Sequence, residues 1–301
     1  MIRILVTGAG GQVGAETVRA LAGRAEVVAH DRSTLDLADP AQIASRVRDA
    51  RPAVIVNAAA YTAVDRAESE PELARAVNAL APGMLAAQAR AIGALLIHFS
   101  TDYVFDGTKR APYAEDDATS PLGVYGRTKL EGERAVEQAG CAHLILRTAW
   151  VYGPRGRNFM LTMLRLADQG VPIRVVADQH GAPTTSAQIA RAVASLLGGA
   201  SIDARSVERL KAAPGVYHAT AAGETTWHGF ATAIFEERAR ASGGRLAAPS
   251  VIPITTAEYP TPAKRPAYSV LSNAKLEKTF GVRLGAWRDG LREALSVLAG
   301  R

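Results

Sequence analysis

The sequence predicts an α/β fold, a doubly wound parallel sheet followed by a smaller C-terminal lobe, and three observations point to it. Short apolar runs alternate with helical patterns through the first half of the chain. The first run ends in a glycine-rich turn that opens a helix, and the alternation loosens beyond Trp150. The apolar runs place strands at 2–7, 26–30, 53–57, 94–100 and 144–147. Apolar side chains at helical spacing place helices at 12–21, 41–50, 72–91 and 125–139 between them. Right-handed crossovers then bring every strand's C-terminal end to one edge of the sheet, where ligands bind in such folds.

Past Trp150 the pattern gives a helix at 159–169, a strand at 172–176, a helix at 186–197 and a strand at 215–218. Five prolines within 249–266 argue against regular structure there. Residues 1–155 are expected to form the dinucleotide-binding unit, completed by segments within 177–220. Residues 156–301 should then form mainly a substrate-binding lobe that folds over the sheet edge.

Composition narrows the class of protein. With 301 residues, 48% hydrophobic and 21% charged, the chain can bury a large core. The N-terminal apolar run is too short for a signal peptide, and no stretch approaches the ~20 apolar residues of a membrane span, so a cytoplasmic chain without membrane partners is expected. A single cysteine, Cys141, excludes an internal disulfide and reads as core. The net charge of +6 is spread along the chain without a basic run or interleaved aromatics, which favours a basic pocket for a phosphate-bearing small molecule over nucleic acid. The histidines at 30, 98, 143, 180, 218 and 228 lack ligand spacing and read as structural residues.

The first strand runs into Thr7-Gly-Ala-Gly-Gly-Gln-Val-Gly14, with glycines at 8, 11 and 14. Glycine permits the tight turn and lets backbone approach a pyrophosphate, while the following helix offers free N–H groups and a partial positive charge. Placed between the first strand and first helix, this loop points to a Rossmann-type dinucleotide site. Asp31 ends the second strand, where a carboxylate would bond a ribose 2′-hydroxyl, and Arg32 beside it would instead clamp a 2′-phosphate. The two argue in opposite directions, so NADH against NADPH stays open.

After the fourth strand come Ser100 and Thr101, then Val124-Tyr-Gly-Arg-Thr-Lys-Leu-Glu131 opens a helix. Tyr125 and Lys129, four apart, share one helix face, and a neighbouring ammonium is expected to lower the tyrosine pKa for proton exchange with a substrate oxygen. Thr101 or Ser100 can donate a second hydrogen bond to the same oxygen.

These features resemble the short-chain dehydrogenase/reductase superfamily, and within its extended, nucleotide-sugar-modifying branch the dTDP-4-dehydrorhamnose reductases. The resemblance is carried by residues 57–68, 100–107, 125–132, 147–153 and 259–266, in that order over nearly the whole chain. It implies NAD(P)H-dependent reduction of the 4-keto group of a dTDP-sugar. Thr101, Tyr125 and Lys129 would be catalytic, the last two also meeting the cofactor. Gly8, Gly11, Gln12 and Val13 would meet its diphosphate, Asp31 or Arg32 its ribose, Asp36 and Leu37 its adenine, and Ala60, Tyr61 and Thr62 would pass beneath it. Thr101, Asp102 and Trp150 would contact the deoxysugar, with Arg265 a candidate for the substrate diphosphate and Trp150 equally suited to the core. Sugar 4,6-dehydratases of this superfamily carry Asp-Glu after the threonine, whereas Asp102-Tyr103 stands here, which implies reduction without elimination. Some members bind a divalent metal at a dimer contact through three glutamates. Glu16 matches the first, but Ala187 and Arg288 occupy the other positions, so no metal is expected and a homodimer is left open. The alternatives are a reductase or epimerase of another nucleotide sugar, and a non-catalytic nucleotide-binding regulatory subunit.

Overall fold

Strands form where the sequence carries uninterrupted apolar or β-branched runs, and in the computed structural model they build one six-stranded sheet at the centre of the molecule. The structure describes residues 1–243, 245, 246 and 248–300. In chain order the first half is β1 (Arg3–Thr7), α1 (Gln12–Leu21), β2 (Glu26–His30), α2 (Pro40–Ala50), β3 (Val54–Asn57), α3 (Val64–Ala67), α4 (Pro71–Arg75), α5 (Ala81–Ile92), β4 (Leu95–Thr101), α6 (Val124–Ala139) and β5 (His143–Thr148). The second half is β6 (Val151–Tyr152), α7 (Phe159–Asp168), β7 (Ile173–Val176), β8 (His180–Gly181), β9 (Thr184–Thr185), α8 (Ser186–Leu196), α9 (Ala204–Lys211), β10 (Gly215–His218), β11 (Thr225–Thr226), α10 (Trp227–Ala241), β12 (Val251–Ile254), α11 (Ala274–Phe280) and α12 (Trp287–Ala299).

The sheet order is β10-β5-β4-β3-β1-β2, with every pairing parallel. Chain direction across the sheet reverses between β1 and β3, so a crevice opens at their C-terminal ends. β4 and β5 are buried along their full length, as strands covered on both faces must be. One face packs under α1, α8, α9 and α11, with Leu21, Ile189, Leu210 and Leu276 in its core. The other packs under α2, α5 and α6 through Ile43, Leu85 and Val136. A separate apolar cluster holds the second lobe together, joining α7, α10 and α12 through Met160, Phe230, Phe235 and Leu291.

Local signals start these helices as the residue types require. Asp39 caps α2 by accepting from the N–H groups of Ala41 and Gln42, ahead of Pro40 in the first turn. Thr185 and Gln188 form a capping box on α8. The helix expected at 72–91 is interrupted: a π-helical turn at Ala76–Leu80 separates α4 from α5. This extra residue per turn turns Asn78 inward, where its amide accepts from Tyr61 N at 2.8 Å and donates to Tyr61 O at 3.0 Å. The proline-rich stretch 249–266, expected to lack regular structure, contains β12. Among the described residues that strand pairs with β7 alone, and a two-stranded sheet leaves the open edge on which Pro253 is tolerated. Among the described residues no helix is long and apolar enough to cross a membrane.

Candidate active site

The crevice is a cavity of about 810 Å³ at the C-terminal ends of β1, β3 and β4. One wall is the turn from β1 into α1. Gly8 has φ of +68°, and a Cβ there would lie 2.6 Å from Ala59 N. A Cβ on Gly14 would lie 2.1 Å from Gly8 O, so helix and turn touch backbone to backbone. Gly11 is the N-cap of α1 without a side-chain cap, and no acidic residue occupies the first turn. Its N-terminal N–H groups are therefore presented to the cavity that Gly8, Gly11, Gln12 and Val13 line, a fit to a dinucleotide diphosphate.

Further along the same cavity lie Asp31, Arg32, Asp36, Leu37, Ala60, Tyr61 and Thr62, all expected from the sequence. Asp31 Oδ1 accepts from Ser33 N at 2.9 Å, Ser33 Oγ at 2.6 Å and Thr34 Oγ1 at 3.2 Å, and these bonds hold its carboxyl below the usual carboxylate range. Tyr61 is braced through its hydroxyl, which donates to Glu70, and through the Asn78 amide.

The opposite wall carries hydroxyl, carboxyl and amino side chains. Thr101 ends β4 and Tyr125 stands in the first turn of α6, and both line the cavity with Asp102 and Lys129. The Thr101 hydroxyl donates to Asp102 Oδ1 at 3.0 Å and accepts from Tyr103 N at 3.2 Å. Asp102 is buried, which pushes its pKa up to about 7 against a downward pull from the nearby Ser269 and Thr101 hydroxyls, and its Oδ2 makes no direct hydrogen bond among the described residues. Burial also pushes the half-buried Tyr125 phenol up to about 12, against a downward pull from its hydrogen bond with Thr101. The Tyr103 ring packs edge-on against Tyr125 at 5.8 Å between centroids.

One expectation is corrected here. Lys129 does not lower the pKa of Tyr125, because burial dominates that phenol and the Lys129 ammonium is turned elsewhere. Lys129 Nζ donates to Phe99 O at 2.6 Å and meets His98 Nε2 at 3.4 Å. Burial lowers Lys129 to about 8.

Trp150 does line the cavity, at φ +47°, and stacks on Trp227 with centroids 3.5 Å apart and planes 4° apart. Trp227 also lines it and was not singled out from the sequence, since nothing local links it to Trp150. Arg265 is not brought to the cavity. Its guanidinium donates to Asp65 Oδ2 at 2.8 Å and to Ala263 O at 2.9 Å, because the 259–266 segment folds back onto α3. Arg32 and Arg157 are the arginines that line the cleft among the described residues. Asn57 and His98, both fully buried, were also missed and join the site from behind.

Glu16 pairs with Arg19 at 2.5 Å, and Arg288 pairs with Glu236 at 3.6 Å. The rings of His30, His98, His143, His218 and His228 have hydrogen-bond partners, and the ring of His180 lies tilted near that of Tyr268.

The family described as RmlD substrate binding domain matches residues 2–299. A dTDP-4-dehydrorhamnose reductase of Burkholderia thailandensis is 50% identical over 290 residues, covering 95% of this chain and 96% of the relative. The chain belongs to the dTDP-4-dehydrorhamnose reductase family. Its fold agrees with solved members. A dTDP-4-dehydrorhamnose reductase from Clostridium acetobutylicum superposes with a TM-score of 0.89 at 38% identity, covering 99% of this chain and all of that one. One from Bacillus anthracis, solved in complex with NADP, gives 0.88 at 32% identity, covering 98% and 99%.

Proposed function

We propose that this chain reduces the 4-keto group of dTDP-4-dehydro-β-L-rhamnose with NAD(P)H, giving dTDP-L-rhamnose. The observation that carries the reading is that Thr101, Asp102, Tyr125 and Lys129 form one wall of the cleft whose other wall is the glycine turn at α1. Gly8, Gly11, Gln12 and Val13 would hold the cofactor diphosphate. Asp31 or Arg32 would hold its adenosine ribose, Asp36 and Leu37 its adenine, and Ala60 to Thr62 would lie beneath it. When bound, the reduced nicotinamide supplies hydride to C4.

This chain supplies the proton. At about 12 the Tyr125 phenol stays protonated at neutral pH, the state a general acid needs, and it donates to the carbonyl oxygen as that oxygen gains charge. Thr101 donates a second hydrogen bond to the same oxygen once its hydroxyl proton turns from Asp102 Oδ1, and Lys129, on the same face of α6, would meet the cofactor from the cleft wall. Trp150, Trp227 and Asp102 would shape the sugar site, with Arg157 in the lining a candidate for a diphosphate. Tyr103, packed edge-on against Tyr125, fills the place where a dehydratase needs a glutamate, which favours reduction over elimination. A non-catalytic nucleotide-binding subunit would not need the intact Thr101, Tyr125 and Lys129 set.

Purified protein should oxidise NADPH or NADH only when the dTDP-4-keto sugar is added, as followed by nicotinamide absorbance, and should yield the 4-hydroxy sugar. Oxidation independent of the keto sugar, or none with any 4-keto nucleotide sugar, would refute the reading. The same reading places the enzyme in the cytoplasm and makes a homodimer testable from its mass in solution.

A further inference from the structure

Three side chains on adjacent strands line up behind Lys129. Parallel register sets Thr7 of β1 against Asn57 of β3, and Asn57 against His98 of β4. Thr7 Oγ1 and Asn57 Oδ1 lie 2.7 Å apart, Asn57 Nδ2 and His98 Nδ1 3.0 Å, and His98 Nε2 and Lys129 Nζ 3.4 Å. All four residues are buried. The row therefore runs from the residue that opens the glycine turn to the lysine on the opposite wall of the cleft.

A buried ammonium needs acceptors for its N–H groups. Phe99 O supplies one, and His98 Nε2 is the other polar atom within reach among the described residues. No carboxylate touches Nζ among those residues. Glu133, one turn along α6, is engaged through both oxygens by Arg147 of β5, and Tyr125 on the same helix is a neutral phenol. Burial keeps the His98 imidazole neutral, so it carries one proton. Nε2 accepts from an ammonium only if that proton sits on Nδ1, and the proton then needs the carbonyl oxygen of Asn57. The Asn57 amide stands here with Oδ1 toward Thr7 and Nδ2 toward His98, and a half-turn about Cβ–Cγ exchanges the two, putting the carbonyl oxygen on Nδ1–H and the NH₂ on the Thr7 hydroxyl. The unexchanged amide puts NH₂ on Nδ1 and an N–H on Nε2, which suits only a neutral amine.

We propose that His98 is a positioning residue for Lys129: its Nε2, kept an acceptor by Asn57, holds the lysine as an ammonium in the cleft wall, and Thr7 completes the row. The kinetic consequence rests on the reductase reading, whereas the charge of Lys129 does not. The chain has six lysines, so selective ¹³C labelling at lysine Cε resolves Lys129, assigned by its disappearance in Lys129→Met. His98→Leu removes the acceptor, and His98→Gln restores an oxygen at similar reach. In His98→Leu, Lys129 should titrate about one pH unit lower than in the wild type, and in His98→Gln close to the wild type. The kcat for keto-sugar reduction at pH 8 should fall about tenfold or more in His98→Leu, its alkaline limb moving with the lysine, with the KM for the sugar unchanged. If His98→Leu does not fold, Asn57→Leu, which removes the lock on the tautomer, should shift Lys129 the same way.

An unmoved Lys129 in folded His98→Leu or Asn57→Leu overturns the proposal, as does a His98→Gln shift as large as that of His98→Leu. A wild type that turns over no keto sugar sinks the reductase reading alone, because the titration is read without substrate.

Discussion

Replacing Glu133 by leucine should cost more than any surface ion pair in the molecule. Arg147 Nε and Nη2 donate to the two Glu133 oxygens at 2.9 and 2.7 Å, and the two side chains are 4% and 3% exposed. The guanidinium lies 5.1 Å from the centre of the Phe105 ring, and its Nη1 has no hydrogen-bond partner among the described residues, so Glu133 is what compensates this buried cation. Breaking a buried pair from one side costs about 3–5 kcal/mol, because the remaining charge stays desolvated. A chain of 301 residues unfolds with an entropy of roughly 0.6 kcal/mol/K, so the midpoint should fall by about 5–8 °C in circular-dichroism melts. The double variant Glu133→Leu with Arg147→Met removes both charges and should return to within about 1–2 kcal/mol of the wild type. A single variant that melts within about 1 °C of the wild type, or a double variant less stable than the single, would refute this account of how α6 is fixed to β5.

Asp102 sets a pH dependence. Its pKa is pushed up to about 7, so it ionises as pH rises through neutrality. The carboxylate then engages the Thr101 hydroxyl proton more strongly and makes Tyr125 a weaker acid. Reduction should therefore slow as pH rises through about 7, and Asp102→Asn should lose that limb while keeping the one near 8, where Lys129 loses its proton; pH–rate profiles of the two proteins check this. Arg32→Ala should raise the KM for NADPH more than for NADH, and Asp31→Ala the reverse, measured in steady state with each cofactor. Gly8→Ala forces an alanine to φ +68° with its Cβ 2.6 Å from Ala59 N, and dinucleotide affinity should drop about tenfold or more in a fluorescence titration.

The glycine turn, the strand ends and Tyr125 were legible because each is a local signal: a run, a turn residue, a spacing on one helix face. The sense of the Tyr125–Lys129 interaction was not. Spacing of four places two side chains on one face but does not say where Nζ finds partners, and here a strand carbonyl accepts from it with a histidine nitrogen 3.4 Å away. His98 was passed over because it lacks metal-ligand spacing, and its role depends on the register of β3 against β4. Arg265 is in sequence a candidate for the substrate diphosphate, yet Asp65, distant along the chain, holds it. In the second lobe β6, β8, β9 and β11 are two residues long, too short to show any period. The stacking of Trp227 on Trp150 follows from tertiary packing alone.

The central claim, that Tyr125 protonates the sugar oxygen as C4 is reduced, is tested most directly by Tyr125→Phe assayed with NADPH and the dTDP-4-keto sugar. Loss of the phenolic proton should lower kcat by about 10²–10⁴-fold while NADPH binding is retained. Turnover close to that of the wild type would contradict it.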